Sequence, residues 1–182
     1  MKKITFLLLF VFQFGFCQTP MQFYQDVPVS GHAFGSRVDI YNNEVLVASD
    51  TFTLVGPPSP GKVFLYNFEA GFHQAQTFYP ANGFLGDGFG TSMSIANNFI
   101  AIGAPNHGVG NDNTGIVYLY HKVNGEYQLM QELSAFDLAF DQTFGDHVKL
   151  HGDYLFVSSK MSFMFTIMMA QIGLFQNNSL SV

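Results

Sequence analysis

The stretch "FGTSMSIANNFIAIGAP", Phe89 to Pro105, places two alternating runs on either side of an Asn97-Asn98 pair. Met93 and Ile95 alternate with serines in the first run, and Ile100 and Ile102 alternate with small residues in the second. Alternation with period two over five to seven residues is the pattern of a half-buried strand. Asn tolerates the positive φ that tight strand-matching turns require. The segment therefore reads as a β-hairpin, and the chain contains it three times. "FGSRVDIYNNEVLVAS" begins at Phe34 and "FGDHVKLHGDYLFVSS" at Phe144, each 55 residues from Phe89. Val38, Met93 and Val148 share a register, as do Ile40, Ile95 and Leu150, and Val47, Ile102 and Val157. The third turn pair is Gly152-Asp153.

Working outward, each hairpin is followed by further strand-like runs. "GKVFLYNF" from Gly61 and "GIVYLYHK" from Gly115 supply a third strand, and "FHQAQTFY" from Phe72 and "EYQLMQEL" from Glu126 a fourth. Four short antiparallel strands repeated at one period are the signature of β-propeller blades. The fold class is all-β, about three 55-residue blades forming an incomplete propeller, with no strong helical periodicity. Gln22 to Val27 reads as a fourth strand lacking a blade of its own. Phe34, Phe89 and Phe144 recur at one register and are expected to be equivalent buried wedges between blades. An arc of three blades leaves apolar faces and strand edges open at its ends, so self-association is expected.

The ends differ from the repeats. Residues 1–17 read as a secretory signal peptide: Lys2 and Lys3 precede an apolar run, Ile4 to Phe16, that is too short to span a bilayer. A lipoprotein would acylate Cys17, but bulky Phe16 stands where a small residue is required. The expected location is secreted or extracytoplasmic, with no membrane insertion after cleavage. Without Lys2 and Lys3 the chain keeps five basic residues against thirteen acidic, a net charge of −8, and without Cys17 it has no cysteine. Disulfides and thiolate metal sites are then excluded. The negative charge without basic clusters argues against nucleic acid and anionic membranes as partners.

Residues 18–160 carry the repeats, and 161–182 form an atypical tail. Within "KMSFMFTIMMAQIGLFQNN", Lys160 to Asn178, four of the eight methionines cluster and alternation stops. Met161 to Phe175 is too short for a membrane span and contains Gln171. It stands where a third strand is due. We read the tail as the next part of the repeat translated in a shifted frame. Met has one codon, so Met164-Phe165 forces Val in the shifted frame, Met168-Met169 forces Asp, and Met169-Ala170 forces Gly. The coding DNA tests this: a stop in the overlapping frame refutes it.

Phe89-Gly90, the hairpin ending Gly103-Ala104-Pro105, and "GIVYLY" together resemble the FG-GAP repeat of integrin α-subunit propellers, closer still to its bacterial secreted version. The resemblance covers roughly residues 22 to 160. Phe34-Gly35 and Phe144-Gly145 repeat its head, while Ala48-Ser49-Asp50 and Ser158-Ser159-Lys160 replace Gly-Ala-Pro. It implies a seven-bladed propeller and a non-enzymatic role in adhesion or protein recognition through loops on one face. Other propeller types fit worse, since the chain has no Trp and no Gly-Gly pair. Calcium loops of the family lie between the first two strands, and here two-residue turns leave no room for six or more oxygen ligands. That site is not carried over, and no cofactor is expected.

The one long polar loop, Asn106 to Gly115, offers Asn106, Asn111, Asp112 and Asn113 as weak calcium candidates. A single carboxylate favours a solvated loop of turn formers instead. "GDGFG", Gly86 to Gly90, lacks the following helix that a phosphate cradle needs. His147 and His151 lie on one side of a strand about 13 Å apart, too far for one metal ion. Asp146-His147 has no nucleophile placed with it. Tyr66, Tyr118 and Tyr120 lie on third strands as packing residues. A recognition surface is expected at the variable segments, Thr51 to Pro60 and Asn106 to Thr114, because loops on a rigid scaffold carry binding. A protein or glycan ligand fits this reading. The alternatives are a propeller-scaffold enzyme acting on carbohydrate, and a truncated fragment without function.

Overall fold

A computed structural model describes residues 33–50, 60–69, 73–108, 114–135, 143–159 and 164–168. The leader, Gln22 to Val27, most of Thr51 to Pro60, and the rest of the tail lie outside the described residues. The described residues are all-β. Blade 1 consists of β1 (Ala33–Tyr41), β2 (Glu44–Asp50), β3 (Lys62–Asn67) and β4 (His73–Phe78). Blade 2 consists of β5 (Ser92–Ala96), β6 (Phe99–Ala104), β7 (Ile116–Val123) and β8 (Glu126–Leu133). Blade 3 contains β9 (His147–His151), β10 (Tyr154–Ser158) and β11 (Met164–Met168). In each sheet consecutive strands are neighbours and antiparallel, as short connections require.

The turns explain the hairpins. Asn42, Asn97 and Gly152 open the three first turns with φ of 52°, 53° and 54°, in the left-handed region that Asn and Gly occupy most readily. Asn124 and Gly125, at φ 53° and 91°, close β7 onto β8, the pair of positive φ angles that a twist-matched two-residue turn requires.

Blade 2 lies between its neighbours. Against one face pack Leu46, Ala48, Val63, Leu65 and Phe78 of blade 1, and against the other Val148, Leu150, Leu155 and Val157 of blade 3. The half-buried reading is corrected here: Ser92 to Ile95 are all buried, because both faces of the sheet are covered. Ser94, with no exposure, is tolerated there because its hydroxyl donates to Asp39 and accepts from the Leu150 N–H, satisfying a buried polar group.

The Phe-Gly heads form the junctions. The Phe89 N–H donates to the Pro60 carbonyl, and the Phe144 N–H to the Thr114 carbonyl. The residue after each acceptor is Gly61 or Gly115, where a Cβ would collide with the backbone of Phe89 or Phe144. Close backbone approach, including a parallel bridge between Gly115 and Phe144, explains why glycine immediately precedes β3 and β7. Phe89 and Phe144 are buried as expected. Phe34 is not equivalent: it lies inside β1, only half-buried, resting edge-on against Phe64 at 5.6 Å. The wedge position exists only against a preceding blade, and no described blade precedes blade 1.

The tail departs from its expected lack of repeat structure at one place. β11 pairs with β10 from Tyr154↔Met168 to Ser158↔Met164, the place held by β3 and β7 in the other blades. Backbone pairing is supplied by the open edge of β10 and does not depend on alternation in the added segment.

Candidate functional site

Strand direction sorts the connections to two ends of the blades. The tight first and third turns lie at one end. At the other lie residues 79–91, which connect blade 1 to blade 2, and the described parts of the loop between the second and third strands of blade 2, 105–108 and 114–115. Of the variable segments singled out by sequence, only Pro60, residues 106–108 and Thr114 are described, and they lie at this second end.

The connection from β4 to β5 is built around Asp87, which is 3% exposed. Its carboxylate accepts the Phe84 N–H at 2.7 Å and lies 2.8 Å from Nδ1 of His107. Its carbonyl accepts the Asn106 N–H, and the Asn106 amide donates to the Gly86 carbonyl. A carboxylate and an imidazole thus clamp two loops together, with Gly86 and Gly88 at positive φ on either side of the acid. The clamp holds Phe84 and Leu85 outward, 60% and 62% exposed, with the Phe84 ring 6.4 Å from that of His107. Tyr79, 57% exposed, begins the same connection, and the Lys62 ammonium lies 5.6 Å from its ring centre. Large apolar side chains are thus held exposed on a loop braced by a buried carboxylate.

Sequence reasoning weighed "GDGFG" only as a phosphate cradle and missed the acid inside it. The available signal was a lone carboxylate between two glycines, a place where a side chain caps nearby N–H groups. Of the calcium candidates only Asn106 is described, and its amide N–H donates to the Gly86 carbonyl; Asn111, Asp112 and Asn113 lie outside the described residues.

The motif residues serve packing. A Cβ on Gly103 would meet the Gly145 carbonyl and the Ser92 hydroxyl, Ala104 and Pro105 are buried, and Ser92 donates to the Gly145 carbonyl at 2.6 Å. Gly35, Gly90 and Gly145 all have φ between 84° and 93°. Asp146 and His147 are 3.6 Å apart on an exposed surface. Tyr66, Tyr118 and Tyr120 are core residues. Burial, aided by nearby Glu132 and Asp87, pushes the Tyr118 phenol up to about 12, and burial raises Tyr120 as well.

Two polar links between blades were not foreseen. Glu44, 9% exposed, accepts Lys122 Nζ and the Tyr127 hydroxyl, each at 2.7 Å. Burial first, then this hydrogen bond to Glu44, raises the Tyr127 phenol. Near the inner strands, Asp39 accepts the Ser94 hydroxyl and the Ile95 N–H, with Lys149 Nζ 3.7 Å away.

The sequence model of the FG-GAP repeat matches residues 72–120. The matched span runs from the fourth strand of blade 1 through the third strand of blade 2, so it contains the Asp87 clamp, the Phe89 wedge and Gly103-Ala104-Pro105. FG-GAP repeats form β-propellers, and the sheets described above are partial blades of that kind. No curated protein matches the chain.

Proposed function

We propose that the chain is a secreted or cell-surface, non-enzymatic binding module that recognises a protein or glycan ligand through the end of the blades carrying Phe84 and Leu85. The FG-GAP repeat supports a propeller-type binding module, and the leader read at residues 1–17 supports export. The observation that carries the reading is the clamp: Asp87 is buried with its Oδ2 bonded to Phe84 and His107, while Phe84 and Leu85 beside it are large, apolar and exposed. Apolar anchors on a preorganised loop carry binding energy out of proportion to their number.

The test is a panel of immobilised glycans and secreted proteins probed with the purified chain and with its Phe84→Ser/Leu85→Ser variant. Retained ligands are expected to lose at least tenfold in affinity with the variant, while its melting temperature stays that of the parent. Equal binding by both proteins refutes the site. Turnover of glycosidase substrates refutes the non-enzymatic reading.

A further inference from the structure

Two Asn-Gly pairs occur in the chain, Asn82-Gly83 and Asn124-Gly125, and the asparagine is exposed in both. Asn is a thermolabile residue, and a following glycine, having no Cβ, leaves its backbone nitrogen open to the Asn side-chain amide. The surroundings of the two pairs differ. Asn124 and Gly125 hold φ of 53° and 91° in a two-residue turn, clasped by the paired Val123 and Glu126. Asn82 lies in a turn of the connection between β4 and β5, outside any strand. Neither its side chain nor the Gly83 N–H makes a hydrogen bond among the described residues.

We infer that Asn82 is a site of self-modification, converting through a cyclic imide to aspartate and isoaspartate, and that isoaspartate there loosens the Asp87 clamp. The Gly83 nitrogen attacks Cγ of Asn82. The N–Cγ bond forms, the Cγ–Nδ2 bond breaks, and ammonia leaves with the proton of the Gly83 amide. Water then opens the ring. Addition at Cγ breaks the new bond and gives aspartate. Addition at the main-chain carbonyl carbon breaks the original peptide bond and gives isoaspartate, whose chain runs on through the side-chain carboxyl. Ring closure turns the peptide plane between the two residues about one soft backbone dihedral. The paired strands resist that rotation at Asn124, and the unpaired connection permits it at Asn82. The consequence follows from position. Gly83 is pressed against proline rings, since a Cβ there would collide with Pro80 and Pro60. Isoaspartate inserts one extra backbone atom immediately before Gly83, which such close packing does not accommodate. The next residue is Phe84, whose N–H donates to Asp87 at 2.7 Å, so displacing Gly83 draws that N–H away from the carboxylate. The reaction does not depend on the ligand-binding reading.

Peptide mapping by mass spectrometry of the full chain, held in mildly alkaline buffer, tests the site, with isoaspartate told from aspartate by fragmentation. Conversion at Asn82 is expected to run at least fivefold faster than at Asn124 in the folded chain, and the two rates to converge in guanidinium, where the fold no longer separates them. Equal rates in the folded chain, faster conversion at Asn124, or a difference that persists in guanidinium each overturns the assignment. Hydrogen exchange at the Phe84 amide reads the link to the clamp. Exchange is expected to be at least fivefold faster in the isoaspartyl fraction than in the unaged chain. Asn82→Asp, which adds the charge without the extra backbone atom, is expected to keep the parental rate. Unchanged exchange at Phe84 in the isoaspartyl fraction, or the same acceleration in Asn82→Asp, overturns the link.

Discussion

Replacing Thr143 by glycine is expected to stabilise the protein. Thr143 precedes the buried Phe144 and has φ 49°, in a region where a β-branched residue is strained. One period earlier stands Gly88, with φ 73°. The turn is the same in both units: the Gly88 carbonyl accepts the Thr91 N–H at 2.9 Å, and the Thr143 carbonyl the Asp146 N–H at 3.1 Å. Thr143 is 8% exposed, and its hydroxyl has no hydrogen-bond partner. Glycine removes about 2 kcal/mol of backbone strain and about 1 kcal/mol for the unsatisfied hydroxyl. Against this stand about 1 kcal/mol of added chain entropy in the unfolded state and about 1 kcal/mol for the lost methyl group. The net gain is about 1 kcal/mol, or a rise of roughly 3 °C in melting temperature for a chain of this size. Differential scanning calorimetry of parent and Thr143→Gly measures it. The reciprocal variant, Gly88→Thr, places a Cβ 2.8 Å from the Thr91 hydroxyl at the same positive φ, and is expected to cost about 2 kcal/mol. If Thr143→Gly melts lower than the parent while remaining folded, the strain argument is wrong.

Gly115→Ala should destabilise by about 3 kcal/mol or more, because its Cβ would strike the backbone of Phe144 and neither strand can retreat. Gly125→Ala, also at positive φ but facing open space, should cost only about 1 kcal/mol; equal losses in chemical denaturation would refute the close-approach account. Glu44→Ala should cost about 2–3 kcal/mol by leaving the Tyr127 hydroxyl and Lys122 without their acceptor. Lys122→Ala should cost under about 1 kcal/mol, since Lys122 is partly exposed; denaturation curves that reverse this order would refute the buried-link reading. Stability should fall in alkali. The Tyr118 phenol is raised from 10.0 to about 12 in the folded chain, so its contribution is complete below pH 10 and is lost as pH rises toward 12. Tyrosinate absorbance and far-ultraviolet circular dichroism followed together should show a shared transition in that window, and Tyr118→Phe should reduce its steepness.

The blades could be read in the sequence because the features that define them are local and copied. A turn at Asn42, Asn97 or Gly152 requires positive φ whatever surrounds it, and a strand covered on a face repeats its apolar residues at the same places. Phe34 was misplaced because a repeat scan records likeness of residues, whereas burial depends on which neighbours are present. Its copies Phe89 and Phe144 wedge against a preceding blade, and blade 1 has no described one. The polar links were missed for a converse reason. Asp39, Ser94 and Lys149 hold one register 55 residues apart and share no chemistry, so they look like positions without a constraint. In the structure they are partners of one another: a carboxylate accepts a hydroxyl, and an ammonium lies beside the carboxylate. Residues that meet across a repeat interface must complement one another, and three identical carboxylates there would repel. Apolar packing between blades favours sameness along the chain, while polar contact between the same blades favours difference. The Asp87 clamp is a further step in that direction. Its counterparts one period away are His32 and Gln142, so the acid that braces this loop is not repeated, as expected of connections that vary on a scaffold whose apolar strand positions recur.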